Sequence, residues 1–173
     1  MSAAEMHPKS NSGMDTYAGR MDVALREKYG EKFRTVFSNF LDCLTFRGIL
    51  GPSAHSGEHS DAIAIIVDHC NFPKWLDQFK GEYIQCLHGV EAKDTLKIVC
   101  VSHDGKLASV SGARILSHVL CHKAKEPMHF ESTKWKNNGV CDGFCDDCNS
   151  YPCNPAKTKA LAKAKSMWEE LFN

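Results

Sequence analysis

TLKIVCVSHDGKLASV, residues 95–110, carries the clearest secondary-structure signal in this chain of 173 residues. Its alternate positions Leu96, Ile98 and Cys100 are apolar, and an Asp104-Gly105 pair follows. Alternation of this kind beside Asp-Gly is typical of a β-hairpin, because Asp-Gly fits the tight turn between two antiparallel strands. The stretch therefore predicts a hairpin at the centre of a small antiparallel sheet.

Two segments upstream of this hairpin have the length and composition of further strands. Residues 62–67 are a short apolar run rich in isoleucine, which suits a buried strand better than a helix. Residues 83–87 are a candidate third strand. Between them, a short helix is predicted to begin at Asn71-Phe72-Pro73, with proline in its first turn, and to end at Gly81.

Helices are predicted at both ends of the chain. In residues 21–50 apolar side chains recur every three or four positions, which predicts two helices, or one jointed at Gly30, burying an aromatic stripe. Downstream, a helix over residues 113–122 is expected, with Ser109 or Ser111 as its N-cap. The last predicted helix spans residues 155–172, and one of its faces carries Leu161, Ala164, Trp168 and Leu171.

The composition narrows the range of functions. Lys and Arg total 21 and Asp and Glu total 21, so no net charge attracts nucleic acid or an anionic membrane. The longest apolar run has six residues, whereas a membrane-spanning helix needs roughly 20. The polar N-terminus has no apolar segment of the kind found in secretory signals. We therefore expect an intracellular protein, cytoplasmic or nuclear, with no membrane partner.

Nine cysteines in an intracellular chain indicate metal binding rather than disulfides. Cys141, Cys145, Cys148 and Cys153 have the spacing C-x3-C-x2-C-x4-C in a segment rich in Gly, Asp and Asn. A segment with so few apolar residues gains stability from a tetrahedral zinc ion bound by four sulfurs. The neighbouring aspartates disfavour a redox pair, because negative charge opposes formation of a thiolate. These four cysteines are the predicted ligands of a structural zinc site.

A second group of candidate zinc ligands precedes this segment. His118, Cys121 and His122 share one face of the predicted helix over residues 113–122. Either the Cys145–Cys148 pair takes two ligands from this face, or the two groups hold separate zinc ions. His129 is a further spare ligand, and the scattered cysteines at positions 43, 70, 86 and 100 are expected to be buried apolar residues.

No motif in the sequence indicates a particular catalytic reaction. A shell of four cysteines is closed, whereas a catalytic zinc keeps one position for water. His55-Ser56-Gly57-Glu58 lacks the H-x-E spacing of zinc deaminases, and His55 and His59 are expected to be solvated loop residues. The alternative function is an enzyme that uses the Cys/His-rich segment, either a metal-dependent hydrolase or a Cys/His thiol enzyme. For a thiol enzyme, Cys70 or Cys86 is the candidate nucleophile.

A basic surface is predicted beside the cysteine segment. Its residues are Lys134, Trp135 and Lys136 before the cysteines, and Lys157, Lys159 and Lys163 on the terminal helix. Lysines around an aromatic ring suit phosphates and stacked bases. The segment AKTKALAKAKSMWEEL, residues 156–171, is similar in pattern to the lysine-rich second helix of double-stranded-RNA-binding domains. That resemblance implies phosphate contacts at the start of the helix; the sheet that precedes this helix in the family is replaced here by the cysteine segment.

The sequence thus predicts an α+β fold in which N-terminal helices pack on a small antiparallel sheet, followed by a zinc-braced C-terminal segment and a terminal helix. We expect residues 1–18 to be a disordered lead, 19–110 the α+β core, and 111–173 a zinc-binding segment that is either separate from the core or continuous with it. The predicted function is recognition of a protein partner or RNA, without catalysis, through the zinc-ordered basic surface.

Overall fold

The structure is a computed structural model that describes residues 23, 25–27, 33–39, 55–88, 95–102, 107–121, 127, 129, 141 and 154–172. Its elements in chain order are β1 (Phe33–Asn39), α1 (Ser60–Asp68), α2 (Phe72–Leu87), β2 (Thr95–Val101), α3 (Ala108–Leu120) and α4 (Pro155–Glu170). The described part of the chain is therefore mostly helical. Within these ranges no helix is long and apolar enough to cross a membrane.

The strand predicted at the start of residues 95–110 is confirmed as β2, but the predicted antiparallel hairpin is wrong. β2 pairs in parallel with β1, in a register from Phe33 opposite Thr95 to Asn39 opposite Val101. Parallel strands need a long crossover, and here it contains α1 and α2. The residues after the Asp-Gly pair form α3, because their buried side chains recur with a helical period.

Both faces of β2 are covered by other parts of the protein. The alternation in its sequence therefore did not indicate an antiparallel strand. Val99 and Val101 are buried, while Leu96, Ile98 and Cys100 are half-buried and pack against the core. Strands of parallel sheets are usually covered on both faces, so the pattern of one polar and one apolar face does not apply.

Residues 62–67, predicted as a strand, lie in α1. Ile63, Ile66 and Val67 are at most 1% exposed and recur at the three- and four-residue spacing of one helical face. The His59 side chain caps the helix by accepting a hydrogen bond from the Asp61 amide at 3.2 Å, and Asp61 lies in the first turn, where the helix dipole favours negative charge. Packing of this face outweighs the strand preference of isoleucine.

Two other predictions upstream of β2 are also corrected. Residues 33–39, predicted as helix, form β1, although Val23 and residues 25–27 are helical as expected. The helix predicted to end at Gly81 continues to Leu87, so residues 83–87 are not a third strand. Nothing approaches Gly81 closely, and one glycine costs a helix only about 1 kcal/mol, too little to end it. The predicted helical pattern at 40–50 and the lead over 1–18 lie outside the described residues.

The terminal helix is confirmed as α4, with Asn154 as its N-cap and Pro155 in the first turn. Its predicted face is buried: Leu161 and Ala164 are 0% exposed and Trp168 is 7% exposed. The core cluster combines residues of α1, α2, α3 and α4, and α4 packs mainly on α1. Aromatic rings continue from α2 to α4, where Phe79 and Tyr83 contact Trp168. One hydrophobic core therefore includes residues from both predicted parts of the chain, the α+β core over 19–110 and the C-terminal segment over 111–173.

Candidate functional site

The predicted cysteine site lies mostly outside the described residues. Cys141 is described and half-buried, whereas Cys145, Cys148 and Cys153 are not described. In the part of the chain that the structure does describe, no group of three or more His, Cys, Asp or Glu side chains could hold a metal ion. The zinc site therefore stays a prediction, and the described residues at its borders are what the structure contributes.

The second group of candidate ligands lies at the end of α3. Cys121 follows the helix with a φ of 51°, which is uncommon for a residue other than glycine, and its thiol donates to the His118 carbonyl at 3.1 Å. The pKa of His118 is lowered by burial and by the positive charge of Lys165. Neutral imidazole is the form that binds metal. His122 lies outside the described residues.

A cluster of charged side chains forms where the N-termini of α1 and α4 meet. Glu58, just before α1, has a side chain that is 8% exposed. The Arg114 Nε atom of α3 donates to both of its carboxylate oxygens, at 3.1 and 2.9 Å. The His129 Nε2 atom lies 3.2 Å from Oε1, and the Lys157 ammonium of α4 lies 3.3 Å from Oε2. We call Glu58, Arg114, His129 and Lys157 the Glu58 cluster.

The cluster holds Glu58 in its ionised form. Burial by itself raises the pKa of this carboxyl group, but hydrogen bonds from His129 and Arg114 and the charges of Arg114 and Lys157 outweigh burial and lower the pKa to about 2. A general base works best when its pKa is near the ambient pH. Glu58 is therefore poorly suited to accept a proton at neutral pH, and well suited to orient the groups that donate to it.

Lys157 is part of the protein interior. It is 1% exposed, and its ammonium also donates to the Glu58 carbonyl oxygen at 2.7 Å. Asn154 caps the first turn of α4 by accepting from the amides of Ala156 and Lys157 at 3.0 and 3.2 Å. Because this lysine is buried and bonded to Glu58, it is not part of the predicted phosphate-binding surface. The phosphate contact that the resemblance to RNA-binding helices implies is therefore not available at this position.

The loop that carries Glu58 is buried, contrary to the expectation of a solvated loop. Ser56, Gly57 and Glu58 are all buried, and the half-buried rings of His55 and His59 lie 4.5 Å apart. The Gly57 carbonyl accepts from the Ser111 hydroxyl at 2.7 Å. Ser109 and Ser111, predicted as helix caps, lie inside the first turn of α3, whose N-cap is Leu107. The small residues of this loop let it pack closely on α3.

The two borders of the cysteine segment meet at Glu58. His129 precedes Cys141 by twelve residues, and Lys157 follows Cys153 by four. Both side chains bind the same carboxylate, and His129, Arg114 and Lys157 each make a further interaction besides. Through His129 and Lys157, the chain on both sides of the cysteine segment is thus fixed to the core at one buried residue, Glu58.

The described candidate ligand Cys121 lies beyond the end of α3, away from the Glu58 cluster. On α3, Arg114 belongs to the Glu58 cluster, while Cys121 is seven residues, about 10 Å, further along the helix axis. There Cys121 faces Lys165 and Trp168 of α4 across a surface cavity of about 580 Å³. Cys153 is covalently joined to Asn154, at the opposite end of α4. Whether the Cys145–Cys148 pair takes two ligands from the face of α3 or the two groups hold separate zinc ions stays a prediction, because Cys145 and Cys148 lie outside the described residues.

The remaining residues of the predicted basic surface are only partly described. Lys159 and Lys163 are exposed on α4, and Lys163 makes an ion pair with Asp68 of α1 at 2.7 Å. Lys134, Trp135 and Lys136 lie outside the described residues. Of the cysteines expected to be buried, Cys86 and Cys100 are half-buried and Cys70 is exposed, while Cys43 lies outside the described residues. Burial of its thiol raises the pKa of Cys100 to about 12.

Sequence reasoning missed the Glu58 cluster, because its members are 56, 15 and 28 positions apart along the chain. The one signal in the sequence for a buried charge here was Glu58 beside small residues, Ser56 and Gly57. No protein-family model matches the chain, and no curated protein or solved structure matches it either. The function of this protein is therefore inferred from the residues of its own chain.

Proposed function

We propose that this is an intracellular, non-catalytic zinc-binding protein in which zinc orders the segment from Cys141 to Cys153 into a surface that recognises another protein. One observation carries the proposal: four cysteines within thirteen residues lie in sequence between His129 and Lys157, whose side chains both contact the buried Glu58. A segment that is held at both ends and supplied with four soft ligands needs little apolar core of its own.

The charges on α4 favour a protein partner over RNA. Lys157 is buried, Lys163 is paired with Asp68, and Lys165 lies 4.0 Å from Glu169. That leaves Lys159 as the exposed lysine of this helix that is outside these contacts. Specific binding to nucleic acid usually involves many phosphate contacts, so RNA is the second outcome of the test and not the first expectation.

The metal is tested by elemental analysis of the native protein, together with a count of thiols that react only after chelator is added. We expect about one zinc, with its cysteine ligands protected until it is removed. Cys148→Ser should lose the metal. Cys70→Ser is the matched control, because Cys70 is an exposed thiol outside the segment. Native protein without zinc, or Cys148→Ser protein that keeps it, would refute the proposal.

The partner is tested by placing a photo-crosslinking amino acid at Lys159 in cells, with the same probe at Lys74 as control. Both positions are exposed helical lysines, one on α4 and one on α2. A discrete protein adduct is expected at 159, absent at 74 and lost in Cys148→Ser. An RNA adduct at 159, with a salt dependence that flattens in the double variant Lys159→Gln and Lys163→Gln, would replace the protein partner by RNA.

The enzyme alternative is tested with the same zinc-loaded protein. A thiol enzyme would contain one cysteine outside the segment that alkylates much faster than the others. Cys100 is half-buried, and burial of its thiol raises its pKa, so it is expected to react slowly. Rapid, selective alkylation at Cys70 or Cys86 would favour the enzyme hypothesis over the recognition hypothesis.

A further inference from the structure

The last turns of α2, α3 and α4 surround one surface cavity, which we call the helix-end cavity. Its volume is about 580 Å³, within the usual range for sites that bind small molecules. The residues that line it from these three helix ends are Ile84, Leu87, Val119, Leu120, Trp168 and Glu169. A cavity at which three helices end in the same direction has a definite electrostatic character as well as an apolar wall.

The three helix ends make this cavity attractive to positive charge. The C-terminus of an α-helix carries about half an elementary negative charge, because its last carbonyl groups have no partner within the helix. The sequence has no lysine or arginine in the last turns of α2, α3 and α4. The basic residue of these turns is His118, whose pKa is lowered by burial and by the charge of Lys165. Glu169 and Glu170 add negative charge at the end of α4.

Three aromatic residues, Tyr83, Trp168 and Phe172, line the same cavity. The ring centroids of Tyr83 and Trp168 are 6.1 Å apart at an interplanar angle of 65°, and those of Trp168 and Phe172 are 5.2 Å apart at 67°. Phe79 of the core packs on Tyr83 and Trp168, which holds two of the three rings in place. Rings at such steep angles present their negative faces in different directions, and this arrangement suits an ammonium group that carries methyl groups.

The chain places one of its own ammonium groups against this aromatic group. The Lys80 Nζ atom lies 4.2 Å from the centroid of the Phe172 ring, and it donates to the carbonyl oxygen of Leu171, just past the last turn of α4. One cation is thus stabilised by a ring face and a helix-end carbonyl together. The helix-end cavity offers the same two features to a cation from outside the chain.

Lys165 also lines the cavity, and its positive charge opposes a cationic ligand. Its ammonium lies 4.0 Å from the Glu169 Oε1 atom, so Glu169 offsets part of this charge, and the exposure of both side chains lets water screen it further. An anionic ligand would gain the contact with Lys165, but it would face three negative helix ends and the negative faces of three rings. The balance of these charges favours a cation.

We propose that the helix-end cavity binds a small organic cation with a quaternary ammonium group, which contacts the rings of Tyr83, Trp168 and Phe172. A quaternary ammonium group has no N–H to leave without an acceptor, and its methyl groups pack against ring faces. The rest of the molecule packs against aliphatic residues such as Leu87 and Val119. This site lies at the opposite end of α4 from the cysteine segment, so it does not depend on zinc.

Calorimetric titration of the full chain with choline tests the charge of the ligand. The control ligand is the alcohol in which a carbon atom replaces the nitrogen of choline, because it has the same shape and no charge. We expect choline to bind, and the neutral alcohol to bind at least about 10-fold more weakly, since it loses the attraction to the ring faces. No binding of choline, or equal affinity for the two ligands, would overturn the proposal.

Two variants of the cavity wall have opposite expected effects on choline affinity. Phe172→Leu keeps an apolar side chain at a position that is 55% exposed, and it should weaken binding by about 2- to 5-fold because one ring is lost. Lys165→Met removes the opposing charge and should tighten binding by about 2-fold or more. Val23→Ala changes an exposed apolar residue outside the cavity and is the control. Native affinity in Phe172→Leu, or weaker binding in Lys165→Met, would show that the cavity does not recognise a cation.

Discussion

At the scale of single residues, Gly57 and Gly81 are a matched pair with opposite expected effects. A Cβ atom on Gly57 would overlap the Leu107 carbonyl oxygen and lie 2.7 Å from the Ser111 amide nitrogen, whereas nothing lies near Gly81. Gly57→Ala should destabilise the protein by about 2 kcal/mol or more. Gly81→Ala should stabilise it by about 0.5–1 kcal/mol, because alanine favours a helix interior. Urea unfolding midpoints measure both, and equal effects would contradict the close packing of this loop on α3.

Glu58 is expected to make stability depend on pH. Its pKa is lowered from 4.5 to about 2 in the folded protein, so the unfolded chain binds the proton more readily. The stabilisation is complete above about pH 4.5 and is lost as the pH falls toward 2, and it amounts to roughly 3 kcal/mol. Glu58→Gln lacks this pH-dependent stabilisation and removes the negative charge that Arg114 and Lys157 contact.

The difference in unfolding free energy between native protein and Glu58→Gln should therefore shrink as the pH is lowered from 5 to 2.5. Both proteins contain the proposed zinc ligands, so protonation of those ligands changes both unfolding free energies equally and cancels in the difference. Chemical denaturation at several pH values measures this difference. A difference that stays constant over this range would show that Glu58 is not held as a buried anion.

At the scale of elements, the sequence predicted α4 well and the region before β2 poorly. Leu161, Ala164 and Trp168 follow a clear helical period in a segment rich in good helix formers, so local preference and packing agree. In α1, isoleucine favours a strand while packing favours a helix, and packing decides the outcome. For β2 the strand itself was predictable, but its partner β1 is 62 positions upstream, and alternation says nothing about strand direction.

Two lysines of α4 that look alike in the sequence should behave differently. Lys157→Met removes a buried cation from Glu58 and is expected to destabilise the protein by about 3 kcal/mol. Lys159→Met changes an exposed side chain and should shift stability by no more than about 0.5 kcal/mol. Thermal or urea unfolding distinguishes the two. If both variants were as stable as the native protein, Lys157 would belong to the surface, as the sequence alone suggested.

The Glu58 cluster shows why part of the candidate site was not predictable. The four cysteines stand out because these candidate metal ligands lie close together along the chain. Arg114 and Lys157 are instead ordinary helix residues in the sequence, and only the packing of α3 and α4 against α1 brings them to one carboxylate. Local motifs identify ligands that are close in sequence, whereas a charged group assembled from three elements is visible only in the folded chain.

At the scale of the whole molecule, zinc binding and core stability are expected to be coupled. Both borders of the cysteine segment bind Glu58, and α4, which begins directly after the segment, supplies Leu161 and Trp168 to the core. Zinc present at 100 times its dissociation constant adds about 2.7 kcal/mol to the stability of the folded state. Removing zinc should therefore lower the unfolding midpoint of the core itself.

Fluorescence of the buried tryptophans reports on that core, since Trp75 and Trp168 are 2% and 7% exposed. We expect one cooperative transition that moves to lower urea when zinc is chelated and returns when zinc is restored. Glu58→Gln should reduce this shift, because it removes the link between the loop and the core. A core transition that does not respond to chelation would mean that the cysteine segment folds around zinc independently. The metal would then order only a local surface, and Glu58 would stabilise the core without connecting it to the ion.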